Sequence, residues 1–135
     1  MRHPLPTAFP RLWLSASLSL SAFLFALPAH ATQSGEAVYQ SVCSQCHAQG
    51  TDNAPVFGDK KRWGKLVREG LNDLVPAALA GIRKMPAKGG NPALSDGEVA
   101  AAVIYMANAG GGKFAEPSAD DLARWRQKAD KRIKK

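Results

Sequence analysis

The sequence predicts an all-α domain of about four to five helices followed by a C-terminal helical extension. Apolar residues recur at helical spacing along most of the chain, and Ser-x-x-acidic signals open two such runs, at Ser95 and Ser118. Strand alternation is barely signalled.

The first 31 residues read as an export signal. Arg2 and Arg11 flank a short basic region, an apolar, serine-dotted run covers Leu12 to Leu27, and Pro28-Ala29-His30-Ala31 closes it with an Ala-x-Ala cleavage pattern. At about 1.5 Å per residue that run falls short of a hydrocarbon core of about 30 Å, which favours a cleaved signal over a retained membrane tether. Cleavage after Ala31 would deliver the chain to the periplasm or an equivalent oxidising compartment.

Removing 31 of the 135 residues leaves 104, enough for one domain with a modest core that gains from a cofactor. The formal charge is then +5, of which residues 32–112 carry +1 and the tail from Lys113 to Lys135 carries +4. Such a near-neutral domain with a basic appendage, lacking interleaved aromatics, does not read as a nucleic-acid binder.

A first helix is expected from about Gly35 to Gln45, with Val38, Tyr39 and Val42 on inward faces. It delivers Cys43-Ser44-Gln45-Cys46-His47, the C-x-x-C-H pattern of covalent c-type haem attachment. Helical positions three apart face the same way, so both thiols can reach along one porphyrin edge while His47 turns toward the iron. A redox-active dithiol would need a thioredoxin-like strand and helix around it. A structural zinc would need four ligands, whereas outside the signal the chain offers these two cysteines and one histidine. The expected cofactor is one haem c, bound by thioethers at Cys43 and Cys46.

The loop Ala48 to Asp59, with Gly50, Asn53, Pro55 and Gly58, suits wrapping a flat cofactor edge. Helical spacing resumes near Lys61 to Leu71 and Val75 to Ile82, where Trp63, Leu66, Val67 and Leu71 would close the pocket. With no second histidine outside the signal, methionine is the natural opposite ligand. Met106 shares a stripe with Val99, Ala102 and Val103 and reads as core. Met85 precedes Pro86, which forces residue 85 into an extended loop from which a thioether can face iron.

Ser95-Asp96-Gly97-Glu98 is a capping box opening a strong helix to about Asn108, which Gly110-Gly111-Gly112 should end as a flexible hinge. In the tail, Ser118 and Asp121 form a second capping signal ahead of the stripe Leu122, Trp125, Ala129, Ile133. Two readings of this amphipathic helix stand. Trp125 packs it onto the domain, or Lys128, Lys131, Arg132, Lys134 and Lys135 dock an acidic-faced redox partner or touch anionic lipid.

On the haem motif and the Met-Pro element, the chain resembles class I c-type cytochromes. The stretches Gly35-Glu36-Ala37-Val38-Tyr39, Ala54-Pro55-Val56-Phe57-Gly58-Asp59 and Met85-Pro86-Ala87-Lys88-Gly89-Gly90 are similar to the bacterial cytochrome c5 group, over about residues 33–112. The resemblance implies a small class I cytochrome c fold with crossing first and last helices, and axial ligands His47 and Met85. It implies one-electron transfer between redox partners of a respiratory or related chain, by a monomer with no catalytic residues. Tyr39 and Tyr105 would meet near the crossing, and the Pro55 carbonyl would accept the His47 Nδ1 proton. Trp63 would line a haem propionate or simply be buried with an acceptor. One departure is the loop Gly90-Asn91-Pro92-Ala93-Leu94, where cytochrome c5 members often carry an extra cysteine pair. The rival function is a haem enzyme or small-ligand sensor with an open distal site, for which only Arg83 and Lys84 offer acid–base groups.

Overall fold

The computed structural model describes residues 32–134; the export signal read at residues 1–31 and the terminal Lys135 lie outside the described residues. Ser34 starts the first helix, α1 (Gly35–Val38), by accepting the Ala37 N–H on its hydroxyl at 3.2 Å. The helical run then passes through a π-turn (Tyr39–Cys43) into α2 (Ser44–His47), two residues beyond the end expected from the sequence. The π-turn adds a residue to the turn that leads into the haem motif.

Asp59 caps α3 (Lys60–Glu69), accepting the Lys61 and Arg62 N–H groups at 3.0 and 3.1 Å. The chain breaks at Gly70, whose φ of 77° favours glycine, and resumes at once as α4 (Leu71–Ala80). The sequence expected the first piece to reach Leu71 and the second to begin near Val75. Apolar spacing runs straight across Gly70 and hid the break.

Ser95 opens α5 (Asp96–Ala109) through the expected capping box: its hydroxyl accepts the Glu98 N–H at 3.2 Å, and Glu98 accepts the Ser95 N–H at 2.8 Å. The Gln33 N–H adds a third bond to Glu98 at 3.2 Å. These bonds, the Ser95 backbone donor first, hold the Glu98 carboxyl down at about 2, from an ordinary 4.5. A depressed acid contributes stability that is complete above its unfolded value and lost as pH falls through its folded value. Urea midpoints should therefore decline between pH 4.5 and about 2, and Glu98→Gln should flatten that part of the acid limb.

α1 and α5 cross in direct backbone contact. A β-carbon at Gly35 would sit 2.2 Å from the Ala101 carbonyl oxygen, so only a glycine lets the two helices approach this closely. Beside the crossing, Phe57 stacks on both tyrosines, with centroids 4.5 Å from Tyr39 and 5.2 Å from Tyr105, and the tyrosines themselves are 5.7 Å apart. Tyr39, Trp63, Met106 and Ala107 form one buried cluster there. The larger cluster, with Val38, Val75, Leu79 and Ala100, lies between α1, α4 and α5.

The glycines after α5 form a fastened corner in place of the expected free hinge. Gly110 lies against Trp63, where a β-carbon would meet the indole Cβ at 2.2 Å, and the Gly112 N–H reaches the Ala107 carbonyl at 2.8 Å. Asn108 then clasps Phe114 by both backbone groups, at 2.8 and 2.9 Å. These glycines supply close approach, a use the sequence does not separate from flexibility.

The tail forms α6 (Ala119–Ile133), capped by Ser118 and Asp121 and laid on α4. Trp125, only 4% exposed, donates its indole N–H to Asn72 Oδ1 at 2.7 Å. α4 prepares the receiving surface. Pro76 lacks an N–H, so the carbonyl four residues back, that of Asn72, has no helical donor; Lys128 Nζ supplies one at 2.7 Å. Among the described residues, the β features amount to an isolated bridge between Ile82 and Met85.

Candidate haem site

Cys43 ends the π-turn half-buried, Cys46 is exposed on α2, and neither is in a disulfide. Burial pushes the Cys43 thiol up. His47 closes α2 and is 7% exposed. Its Nδ1 lies 2.8 Å from the Pro55 carbonyl oxygen. A carbonyl can only accept, so Nδ1 carries the proton and Nε2 keeps its lone pair for another partner. The loop is folded to make this bond: Gly50 turns at φ 77°, and the Phe57 N–H returns to the His47 carbonyl at 2.8 Å. Trp63 stands beside the imidazole, centroids 6.3 Å apart, and donates its indole N–H to the Val56 carbonyl at 2.8 Å. The indole is thus satisfied within the chain.

Met85 is held by a tight turn. The Ile82 N–H donates to the Met85 carbonyl at 3.0 Å and the Met85 N–H to the Ile82 carbonyl at 2.9 Å, around Arg83 in the left-handed region at φ 53°. Gly81 makes room, since a β-carbon there would come 3.0 Å from the Met85 carbonyl. Met85 and Cys43 line the same apolar cleft, with Val38, Leu94 and Val99 along its wall.

The donor set fits haem c: two unpaired thiols three positions apart, an imidazole with its Nδ1 engaged, and a thioether on the cleft that Cys43 also lines. Among the described residues, no group of three or more His, Cys, Asp or Glu gathers as a bare metal site would need. Lys84, one of the two groups a distal acid–base role would call on, is ion-paired with Asp52 at 2.7 Å.

The tail cations separate into two sets. Lys128 and Arg132 turn onto Asp73 of α4, at 2.8 and 3.2 Å, and the Lys128 hydrogen bond holds the Asp73 carboxyl below its ordinary value. Lys131 and Lys134 are exposed, and Lys135 lies outside the described residues. Sequence reasoning missed the role of Lys128, whose signal was Pro76 inside an otherwise helical run, and the pairing of Arg126 with Asp96, which left none.

An all-helical wrap around a Cys-x-x-Cys-His helix, with a methionine loop on the same cleft, is the arrangement of a domain that holds covalent haem. Residues 30–106 match the family described as cytochrome c oxidase, cbb3-type, subunit III. The chain is 40% identical over 97 residues to cytochrome c-555 of Chlorobaculum tepidum, a match covering 69% of this chain and 87% of that protein. It is 37% identical over 76 residues to cytochrome c5 of Azotobacter vinelandii, covering 55% of this chain and 92% of that one. Among solved structures it is similar to a chain in the crystal structure of an electron transfer complex of nitrite reductase with cytochrome c. That match has a TM-score of 0.55 and 41% identity, and covers 56% of this chain and 93% of the other. The chain belongs to the class I c-type cytochromes, which are electron carriers, and resembles the cytochrome c5 and c-555 proteins.

Proposed function

We propose that this cytochrome is an exported, mono-haem carrier that passes single electrons between redox proteins of a respiratory or related chain in the periplasm. Cys43 and Cys46 would hold the haem by thioethers, and His47 and Met85 would ligate its iron. The observation that carries the reading is the His47 Nδ1 bond to the Pro55 carbonyl, which leaves the Nε2 lone pair available to an iron. When bound, the haem supplies a one-electron iron couple.

The residues of this chain do the rest. The Pro55 carbonyl keeps the imidazole in one orientation in both oxidation states. His47 and Met85 would both hold the iron, which would favour electron transfer over oxygen or peroxide chemistry, and Val38, Leu94 and Val99 give the cleft that Met85 and Cys43 line an apolar wall. The exposed Lys131 and Lys134, with Lys135, would steer an acidic-faced redox partner, in an attraction that salt weakens. Among the described residues no helix is long and apolar enough to cross a membrane.

The test is expression in cells with full cytochrome maturation machinery, followed by a redox titration with spectra. The expected product is coloured, keeps its haem through denaturation, and titrates in a single one-electron step. The Cys43→Ala/Cys46→Ala pair should lose the covalent haem. Colourless wild-type protein, or haem that leaves on denaturation, sinks the proposal.

A further inference from the structure

The loop that carries Met85 is strained and is fastened from outside. After Pro86 it runs through Lys88, Gly89 and Gly90, with φ of 53°, 65° and 89°, three left-handed residues in a row, one of them not glycine. Such a run persists where its surroundings over-determine it. Gly89 is pressed against Val42, where a β-carbon would meet Cγ1 at 3.1 Å.

Lys88 makes the outward fastening. Its stem lines the cleft with Met85, and its ammonium donates to the Leu94 carbonyl at 2.5 Å and stands 3.7 Å from Asp96 Oδ1. Asp96, the first residue of α5, is gripped in turn by α6. Arg126 Nε donates to Asp96 Oδ2 at 2.7 Å and Nη2 donates to Oδ1, a two-pronged pair that a lysine cannot reproduce. Asp130 orients the same guanidinium from the next turn at 3.2 Å. Lys88, Asp96 and Arg126 are all partly shielded from water, where charge-assisted bonds weigh more than at an open surface. The Arg126 hydrogen bond holds the Asp96 carboxyl below its ordinary value.

From this chain of contacts we infer that α6 is a strap on the methionine loop, with Arg126 and Asp96 as positioning residues that keep Lys88, and through it Met85, in place. The strap lies outside the residues that match the family, which end at 106. The inference rests on the reading of Met85 as the iron ligand, and it explains why a tail helix is bonded to the first residue of α5.

The test is Arg126→Met in the full-length holoprotein, which keeps the stem's bulk and removes every donor. Gln127→Met, at an exposed position of the same helix, is the control. Two signals are read: the weak red-region band of methionine-bound ferric haem as temperature rises, and amide exchange at Gly89 and Asn91, whose N–H groups bond the Pro86 and Lys88 carbonyls. Arg126→Met should raise methionine dissociation and both exchange rates about tenfold, while Gln127→Met changes neither. A lower melting temperature in Arg126→Met with band and exchange as in wild type would leave α6 a packing helix and overturn the strap. A wild-type protein that never shows the band overturns the ligand assignment instead, and the exchange rates still decide the strap.

Discussion

Met85→Ala is expected to lower the reduction potential and open the iron to carbon monoxide. A thioether opposite histidine favours reduced over oxidised iron and so raises the potential. Each tenfold of that preference corresponds to about 59 mV for a one-electron couple, so a hundredfold preference lost is a fall of about 120 mV. This lies well inside the ~0.8 V that axial ligands span across haem proteins. The fold should survive, because Met85 is half-buried on a loop and not embedded in the core. Met106→Ala is the matched contrast. Met106 is 3% exposed, packed with Tyr39 and Trp63, and its loss should cost about 2–5 kcal/mol of stability while the potential stays where it was. Voltammetry and carbon monoxide difference spectra on both variants check the pair; an unchanged reduced spectrum in Met85→Ala refutes the ligand assignment.

Gly35→Ala should produce the largest loss of stability of any conservative change in the first helix. In a free helix the substitution helps, by about 1 kcal/mol. Here the added carbon would meet the Ala101 carbonyl oxygen at 2.2 Å and its carbon at 2.5 Å, and neither can rotate aside as a side chain would. Overpacking typically costs about 1–3 kcal/mol and more where backbone must shift, so the upper end applies. At about 4–8 °C per kcal/mol for a domain of this size, the melting temperature should fall by on the order of 15 °C. Gly64→Ala, inside α3 with nothing within 4 Å of the new carbon, should shift it slightly upward. The two substitutions are chemically identical, so opposite signs in a thermal melt isolate the crossing.

The parts of this molecule written in local pattern were legible in the sequence. Ser95 with Glu98 and Ser118 with Asp121 announce helix starts because a capping box is closed within four residues. Met85 stands out because Pro86 acts on its immediate neighbour. What stayed hidden depends on partners far apart along the chain. Gly110 reads as part of a hinge until Trp63 is seen against it, and Gly35 as no more than the start of a helix until Ala101 is. Pro76 shows no role until Lys128, 56 residues beyond Asn72, donates to the Asn72 carbonyl that the proline leaves free. Arg126 and Asp96, 30 residues apart, carry no periodic trace at all. The basic tail stayed between packing and docking because a charge count cannot tell a solvated lysine from one turned onto Asp73.

The Gly35 crossing also sets an order of events during biogenesis. Its partner Ala101 lies far downstream, and the bonds that fix α6 come later still, so a chain made from its N-terminus contains Cys43, Cys46 and His47 before the segments that pack beside them. Contacts between distant segments bear the entropy of closing long loops and form after local ones. The Cys43–His47 segment is therefore synthesised ahead of the residues that pack over it, and both the crossing at Gly35 and the seat of Trp125 wait for the last third of the polypeptide.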